Sequence, residues 1–376
     1  MKRALLDAKI LTPTGWRDDA ALLIQGELIA DICRPADIPA GYERQALDGD
    51  YLLPGFIDVQ VNGGGGMMLN GAESLDDIRK IAAAHRAFGT TGMLPTLISD
   101  DFAVMEKAAD LIAAAMAAGI PGILGLHFEG PYLNPDRKGI HPETKIRKMD
   151  AAFLALATRG DIGKVLVTLA PEVVTGDDIR ALTAAGVRVA AGHSAATFDQ
   201  MQAAINAGLT GVTHLYNAMP PLLSRDPGLI GAGLNAPDVF CGIINDTYHV
   251  HPATLKIALA AKGADRLMLV TDAMGIVGTA ATEMPWNGGT IHLEGGRLAT
   301  RDGTLAGSAL DMASAVRNTV RHLDQPLETA VEMASATPAA FLGLERSHGH
   351  IAPGYRADLL RLAPDLSVRQ SWIAGE

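Results

Sequence analysis

The sequence predicts an α/β fold: a (β/α)8 TIM-like barrel carrying a smaller β-sandwich domain built from both chain termini. Three observations lead there. Eight short apolar runs alternate with segments of helical period through the middle of the chain, the pattern of parallel βα units. The residues able to do chemistry stand at or just past the C-terminal ends of these runs: Glu129 closes GILGLHFEGP, His193 closes VRVAAGHS, His214 closes TGVTHLYN and Asp272 closes RLMLVTDAMG. A barrel gathers its active site at that end, because only the strand ends and following loops converge on one mouth. Both chain ends read instead as short alternating β runs cut by turns.

With 376 residues the chain is too long for one small domain and can bury a large core. Its two cysteines, Cys33 and Cys241, rule out a disulfide framework, so a reducing cytoplasmic setting is expected. A formal net charge of −11 without any Lys/Arg cluster leaves no electrostatic basis for a nucleic-acid partner. Asp7 and Lys9 interrupt the N-terminal apolar run before it reaches signal-peptide length. The longest apolar stretch, LIAAAMAAGIPGILGL, is broken by Gly119, Pro121 and Gly122, so no membrane span is expected.

Taken in order, residues 1–53 pair RALLDAKILT with AALLIQGELIADIC, with Gly26 at a reversal, and predict a small antiparallel sheet. The tail, 345–376, shows apolar alternation with Pro-Gly and Ala-Gly turns and is expected to join the same β-domain. Residues 54–344 form the predicted barrel, although its first run, YLLPGFIDVQV, starts at Tyr51. The other runs are TTGMLPTLI, GILGLHFEG, GKVLVTLAP, VRVAAGHS, GVTHLYN, VFCGIIND and RLMLVTDAM. Helices between them carry end signals: one opens at Ser74 with Asp77 and ends at Gly89, another runs from Thr197 to Gly208. Residues 284–304, Gly-rich and alternating, predict a hairpin inserted after the eighth strand and able to pack on the terminal sheet. Residues 62–66, Asn-Gly-Gly-Gly-Gly, read either as a close backbone approach to a ligand or as a plain turn.

A divalent ion such as zinc takes imidazole nitrogen and carboxylate oxygen, and a catalytic site typically offers three protein ligands and one open position. Glu129, His193 and His214 fit that count, and bound water would become acidic enough to attack at neutral pH. Asp272 ends a strongly apolar strand, where a buried acid without a task is costly, and is the candidate proton carrier. Singly, each reads equally as a packing histidine or a helix-capping acid; it is the four together that point to a metal-dependent hydrolase. His127 should face the barrel interior by alternation with Glu129. His85, His292, His322, His348 and His350 are expected on the surface or in packing, His251 stays open, and Cys241 reads as a buried inert thiol.

The strings PGFIDVQVNGGGG, HFEGPYLNPDRKGIHP, GHSAAT, VTHLYNAMPP, SRDPGLIG, IINDTYHVHP, VTDAMG and APGYRADLL, spread over nearly the whole chain, resemble N-acetylglucosamine-6-phosphate deacetylases of the amidohydrolase superfamily. HFEGP with KGIHP, and THLYNAMPP, are far more specific than the superfamily-wide PGFID. The resemblance implies that Glu129, His193 and His214 bind the metal, that Asp272 is general base and acid, and that His141 polarises the acetyl carbonyl. It assigns the substrate phosphate to His249, Asn217, backbone around Ala218, and Arg225 reaching from a second subunit of a homodimer. Read from residue type alone, His141 is a solvent-exposed loop histidine and Arg225 a surface charge.

One departure concerns the His-x-His of the wider superfamily after the first barrel strand, replaced here by Gln60 and Asn62. Neutral amides are poor metal ligands, and VTLAP offers no bridging lysine, so one metal per subunit is expected. Zinc is preferred, with Fe2+, Mn2+ or Co2+ open to the same donors. The expected reaction is hydrolysis of N-acetyl-D-glucosamine 6-phosphate to D-glucosamine 6-phosphate and acetate. The alternatives are another amidohydrolase, such as a cyclic amide hydrolase or deaminase, and a non-catalytic barrel.

Overall fold

The computed structural model describes residues 2–376. Its central sheet runs in sequential order through β1 Phe56–Val61, β2 Thr90–Ile98, β3 Gly125–Glu129, β4 Lys164–Leu169, β5 Arg188–Ala191, β6 Gly211–Val212, β7 Phe240–Ile243 and β8 Leu267–Leu269, all neighbours parallel. β1 and β2 are buried along their full length, as expected of a parallel sheet covered on both faces. The ring closes where the chain beyond β8 runs beside β1, through a Val61–Ala273 bridge and a 3.0 Å bond from the Asp272 amide to the Gln60 carbonyl.

Asp58, fully buried on β1, fastens that seam. Its Oδ2 accepts the Thr271 hydroxyl at 2.5 Å, and its Oδ1 accepts the amides of Gln60 at 3.1 Å and Thr271 at 3.3 Å. Burial pushes its carboxyl up to about 7 in spite of these bonds.

The two helices with sequence end signals form as expected. Leu75–Arg86 starts with a Ser74–Asp77 capping box and Phe198–Asn206 with a Thr197–Gln200 box, each satisfying first-turn amides reciprocally.

The N-terminal strands and the C-terminal hairpin share one five-stranded sheet, in which Leu359–Leu362 pairs with both Tyr51–Pro54 and Val368–Trp372. A four-stranded sheet containing Lys2–Leu6 and Ala21–Gln25 packs against it. Side chains alternate: Leu52 and Leu359 join Leu5, Leu22 and Trp372 in the small core, while Leu53 and Leu360 face the barrel core. The run read as one first strand, YLLPGFIDVQV, is thus two, divided at Gly55 where the chain passes from terminal sheet to barrel.

The insert also differs from expectation. It is a three-stranded antiparallel sheet, Glu283–Trp286, Gly289–Glu294 and Arg297–Thr300. It packs over the barrel mouth and not on the terminal sheet: Ile291 and Leu298 bury against Ile98, Met274 and Ile276, and the Trp286 indole donates to the Ile140 carbonyl at 3.3 Å. Apolar residues at the strand ends draw the insert there.

The glycine loop is a close-packed turn. The Gly63 carbonyl bonds His85 Nε2 at 2.8 Å, and a Cβ on Gly63 would stand 2.2 Å from the Met67 carbonyl oxygen. Gly63→Ala is expected to lower stability by about 1–3 kcal/mol through overpacking. An unchanged urea midpoint would contradict this packing.

Candidate active site

The four strand-end residues meet at the mouth. Glu129 is the last residue of β3, His193 and His214 lie two residues beyond β5 and β6, and Asp272 lies three beyond β8. His193, His214 and Asp272 adopt φ of 48°, 32° and 53°, a left-handed region that non-glycine residues occupy at a cost of about 1–3 kcal/mol each. Such strain persists where the surroundings over-determine the backbone, and here it coincides with the chemistry.

Glu129 Oε1, His214 Nε2 and His193 Nε2 form a buried triangle with edges of 3.1, 3.3 and 3.0 Å. Four ligands bound tetrahedrally at roughly 2.0–2.1 Å lie about 3.3–3.4 Å apart, so these atoms fit the corners around a single divalent cation. His193 Nδ1 lies 2.8 Å from the Arg137 carbonyl oxygen, which only accepts, so Nδ1 carries the hydrogen and Nε2 presents a lone pair to the centre. Among the described residues, no other group of three His, Cys, Asp or Glu side chains converges this way.

Asp272 stands beside the trio. Its Oδ1 accepts Asn62 Nδ2 at 2.7 Å and Gln60 Nε2 at 3.0 Å, and Gln60 Nε2 also donates to Glu129 Oε1 at 2.9 Å. The amides that replace the usual histidines therefore orient the carboxylates. Burial, with the Glu129 charge adding to it, pushes Asp272 up to about 6.

His141 is buried at 2% exposure, in contrast to the exposed loop histidine expected from its residue type. The Ser99 amide donates to its Nδ1 at 3.2 Å and the Ser99 hydroxyl lies 2.8 Å from it. Nδ1 is thus the acceptor, leaving the hydrogen on Nε2, which lies 3.8 Å from Glu129 Oε2. Burial, reinforced by His193, holds its pKa well below the ordinary value, so the ring is a neutral N–H donor facing the site.

These groups line a cavity of about 330 Å³ that also takes in Arg137, Asn217, Ala218, His249 and Leu305. His249 is oriented by a residue the sequence reading missed. Asp246 Oδ2 lies 2.6 Å from His249 Nδ1, and Asp246 Oδ1 accepts the amides of Tyr248 and His249, both at 2.8 Å. Burial raises the Asp246 carboxyl, but His249 outweighs it and holds the acid below its usual range. The signal was present as an aspartate three residues before the histidine in NDTYHVHP. Arg225 is exposed and lies off the cavity of its own chain.

The remaining histidines sort by contact. His127 faces inward but bonds Thr96 at 3.2 Å and Thr168 at 2.8 Å, and burial lowers it to about 4. His251 caps the helix Pro252–Lys262, accepting the Ala253 amide at 3.1 Å. Cys241 is buried, which pushes its thiol up to about 12 and keeps it unreactive.

Residues 51–376 match the amidohydrolase family. The chain belongs to that family and is a hydrolase. It is 44% identical to an N-acetylgalactosamine-6-phosphate deacetylase of Shewanella sp. (strain ANA-3), over 98% of this chain and 94% of the relative. It is 36% identical to the N-acetylglucosamine-6-phosphate deacetylase of Homo sapiens, over 100% and 93% of the two chains. The crystal structure of N-acetylglucosamine-6-phosphate deacetylase from Pasteurella multocida superposes with a TM-score of 0.96 at 33% identity, covering 100% of this chain and 99% of the other.

The purified protein is expected to carry one divalent ion per chain by plasma mass spectrometry, and His214→Ala to lose most of it. Full occupancy in that variant would contradict the three-ligand site.

Proposed function

We propose that the chain hydrolyses the acetamide of an N-acetylated hexosamine 6-phosphate, N-acetyl-D-glucosamine 6-phosphate in the first reading, giving D-glucosamine 6-phosphate and acetate. The observation that carries this is Asp272, held by two amides beside the ligand trio and sharing one cavity with the neutral donor His141. A divalent ion on Glu129, His193 and His214, zinc by preference, supplies Lewis acidity and lowers the pKa of water. With Oδ1 committed to Gln60 and Asn62, Asp272 uses Oδ2 to take the proton of the attacking water and pass it to the leaving nitrogen. That role is typically worth about 10²–10⁴ in rate. His141 Nε2 donates to the acetyl oxygen as negative charge develops there.

His249, Asn217 and the Ala218 backbone receive the phosphate, with Asp246 orienting the His249 ring. Arg225 completes the phosphate site from a partner subunit in a homodimer. Support comes from its exposed loop, where Leu222 and Leu223 are 49% and 54% exposed beside it. Cys33 and Cys241 are free thiols and no helix among the described residues is long and apolar enough to cross a membrane, in keeping with a cytoplasmic enzyme.

A second reading is favoured by one finding: the relative at 44% identity acts on the galacto epimer, whereas the human relative at 36% acts on the gluco epimer. The N-acetylgalactosamine 6-phosphate reading uses the same metal, base and phosphate groups and differs only at C4.

Acetate release from both phosphorylated epimers by the metal-loaded protein tests the reading, and the epimer with the higher kcat/KM identifies the substrate. Release from neither would refute it. Asp272→Asn is expected to cut kcat by at least about 10²-fold with the metal retained; near-normal turnover would refute the base assignment. Asp246→Asn is expected to raise KM about tenfold, equivalent to about 1.4 kcal/mol, with kcat nearly unchanged. An unaltered KM would remove His249 from phosphate binding.

A further inference from the structure

Deeper in the barrel than the ligand atoms, and outside the cavity lining, runs a chain of bonded polar side chains. His127 is fully buried on β3, two residues before Glu129, and both of its ring nitrogens are bonded. Nδ1 meets the Thr96 hydroxyl of β2 at 3.2 Å, and Nε2 meets the Thr168 hydroxyl of β4 at 2.8 Å. The Thr168 hydroxyl in turn lies 2.6 Å from that of Thr213, the residue before His214. β4 and β6 are not neighbours, since each pairs with β5, so this last contact passes over the end of β5. Gly192, the residue before His193, leaves room for it: a Cβ there would stand 2.7 Å from Thr168 Cγ2 and 3.0 Å from Thr213 Cβ. The chain thus comes within two residues in sequence of each member of the Glu129, His193 and His214 trio.

The hydrogens along this chain run in one consistent direction. The Val61 amide donates to Thr96 Oγ1 at 2.9 Å, and the Thr96 hydroxyl gives its only hydrogen to the Leu94 carbonyl at 3.1 Å. His127 must therefore donate to Thr96 from Nδ1, which leaves Nε2 to accept the Thr168 hydroxyl. Thr168 then accepts the hydroxyl of Thr213. No polar side-chain atom of these four residues is left unpaired. A buried network whose members are all satisfied rigidifies what it joins.

His214 needs that support more than its two companions. The Arg137 carbonyl holds His193 Nδ1 and Gln60 holds Glu129 Oε1, whereas His214 Nδ1 is buried without a partner. The His214 backbone also sits at a φ of 32°, a conformation that non-glycine residues keep only where the surroundings impose it. The aim of the ring thus depends on the backbone that Thr213 fixes. We infer that His127 is a positioning residue for the metal centre, acting through Thr168 and Thr213 to hold His214 Nε2 at its corner of the triangle. This rests on the reading of Glu129, His193 and His214 as ligands of one divalent ion. His127 does this without bonding the ion or the substrate.

The test compares Thr213→Val, which removes the hydroxyl at nearly constant shape, with Thr213→Ser, which keeps it, and adds His127→Phe, which keeps a ring without nitrogens. Cobalt(II) is the probe, because its visible bands follow ligand geometry and need no turnover. Thr213→Val and His127→Phe are each expected to weaken Co2+ binding about 10–100-fold in chelator competition and to shift the visible bands at saturating cobalt. Thr213→Ser is expected to restore both affinity and bands. Unchanged affinity and bands in either of the first two variants, or a Thr213→Ser protein as impaired as Thr213→Val, would overturn the inference. Neutron diffraction from the unaltered, deuterated protein decides the matter if His127→Phe does not fold: deuterium on His127 Nδ1 supports the chain, and deuterium on Nε2 alone overturns it. An unaltered protein that binds no cobalt refutes the three-ligand reading itself, and this inference with it.

Discussion

Three lone-pair atoms from the ends of three different strands and the loops just past them are held within 3.3 Å of one another in the interior, and most of the site follows from that crowding. A buried carboxylate facing two imidazole nitrogens is costly unless a cation gathers them. The surrounding contacts aim these atoms inward: the Arg137 carbonyl sets the tautomer of His193, and Gln60 steadies the same Glu129 oxygen that faces the two rings. Hydrogen bonds of this kind orient ligands and tune their basicity. Ligation geometry and proton transfer are thus built from one connected set of contacts.

The barrel seam ties the fold to that set. Asp272 belongs to the chain leaving β8, whereas the amides that hold its carboxylate come from β1, so its position depends on how the first and last strands meet. Asp58 and Thr271 make that junction with buried hydrogen bonds. The insert contributes beside the seam, on Met274 and Ile276. Its apolar face packs on Ile98 and is continuous with Ile140, which precedes His141, and the chain leaving the insert brings Leu305 into the cavity.

The residues legible in the sequence were those whose position follows from strand periodicity. Glu129, His193, His214 and Asp272 end apolar runs, and a parallel barrel brings such ends to one mouth whatever the loops do. His141 was illegible by itself because its burial depends on Ser99 at the end of β2, 42 residues away in sequence, receiving the ring. Gln60 and Asn62 could be recognised as lost ligands, but their work as donors to Asp272 requires the β1–β8 junction to be seen. The insert was read as β structure from its alternation, yet alternation carries no information about which apolar surface it will cover. The break at Gly55 was hidden because both halves of the run are apolar and strand-like, and only their pairing partners distinguish them.

The most direct test of the central claim is anomalous diffraction at a metal absorption edge from crystals of the metal-loaded protein. One peak per chain is expected, about 2.0–2.2 Å from Glu129 Oε1, His193 Nε2 and His214 Nε2, with Asp272 outside bonding distance and nothing beside Gln60 and Asn62. A peak elsewhere, or a second ion bound at Gln60 and Asn62, would contradict it.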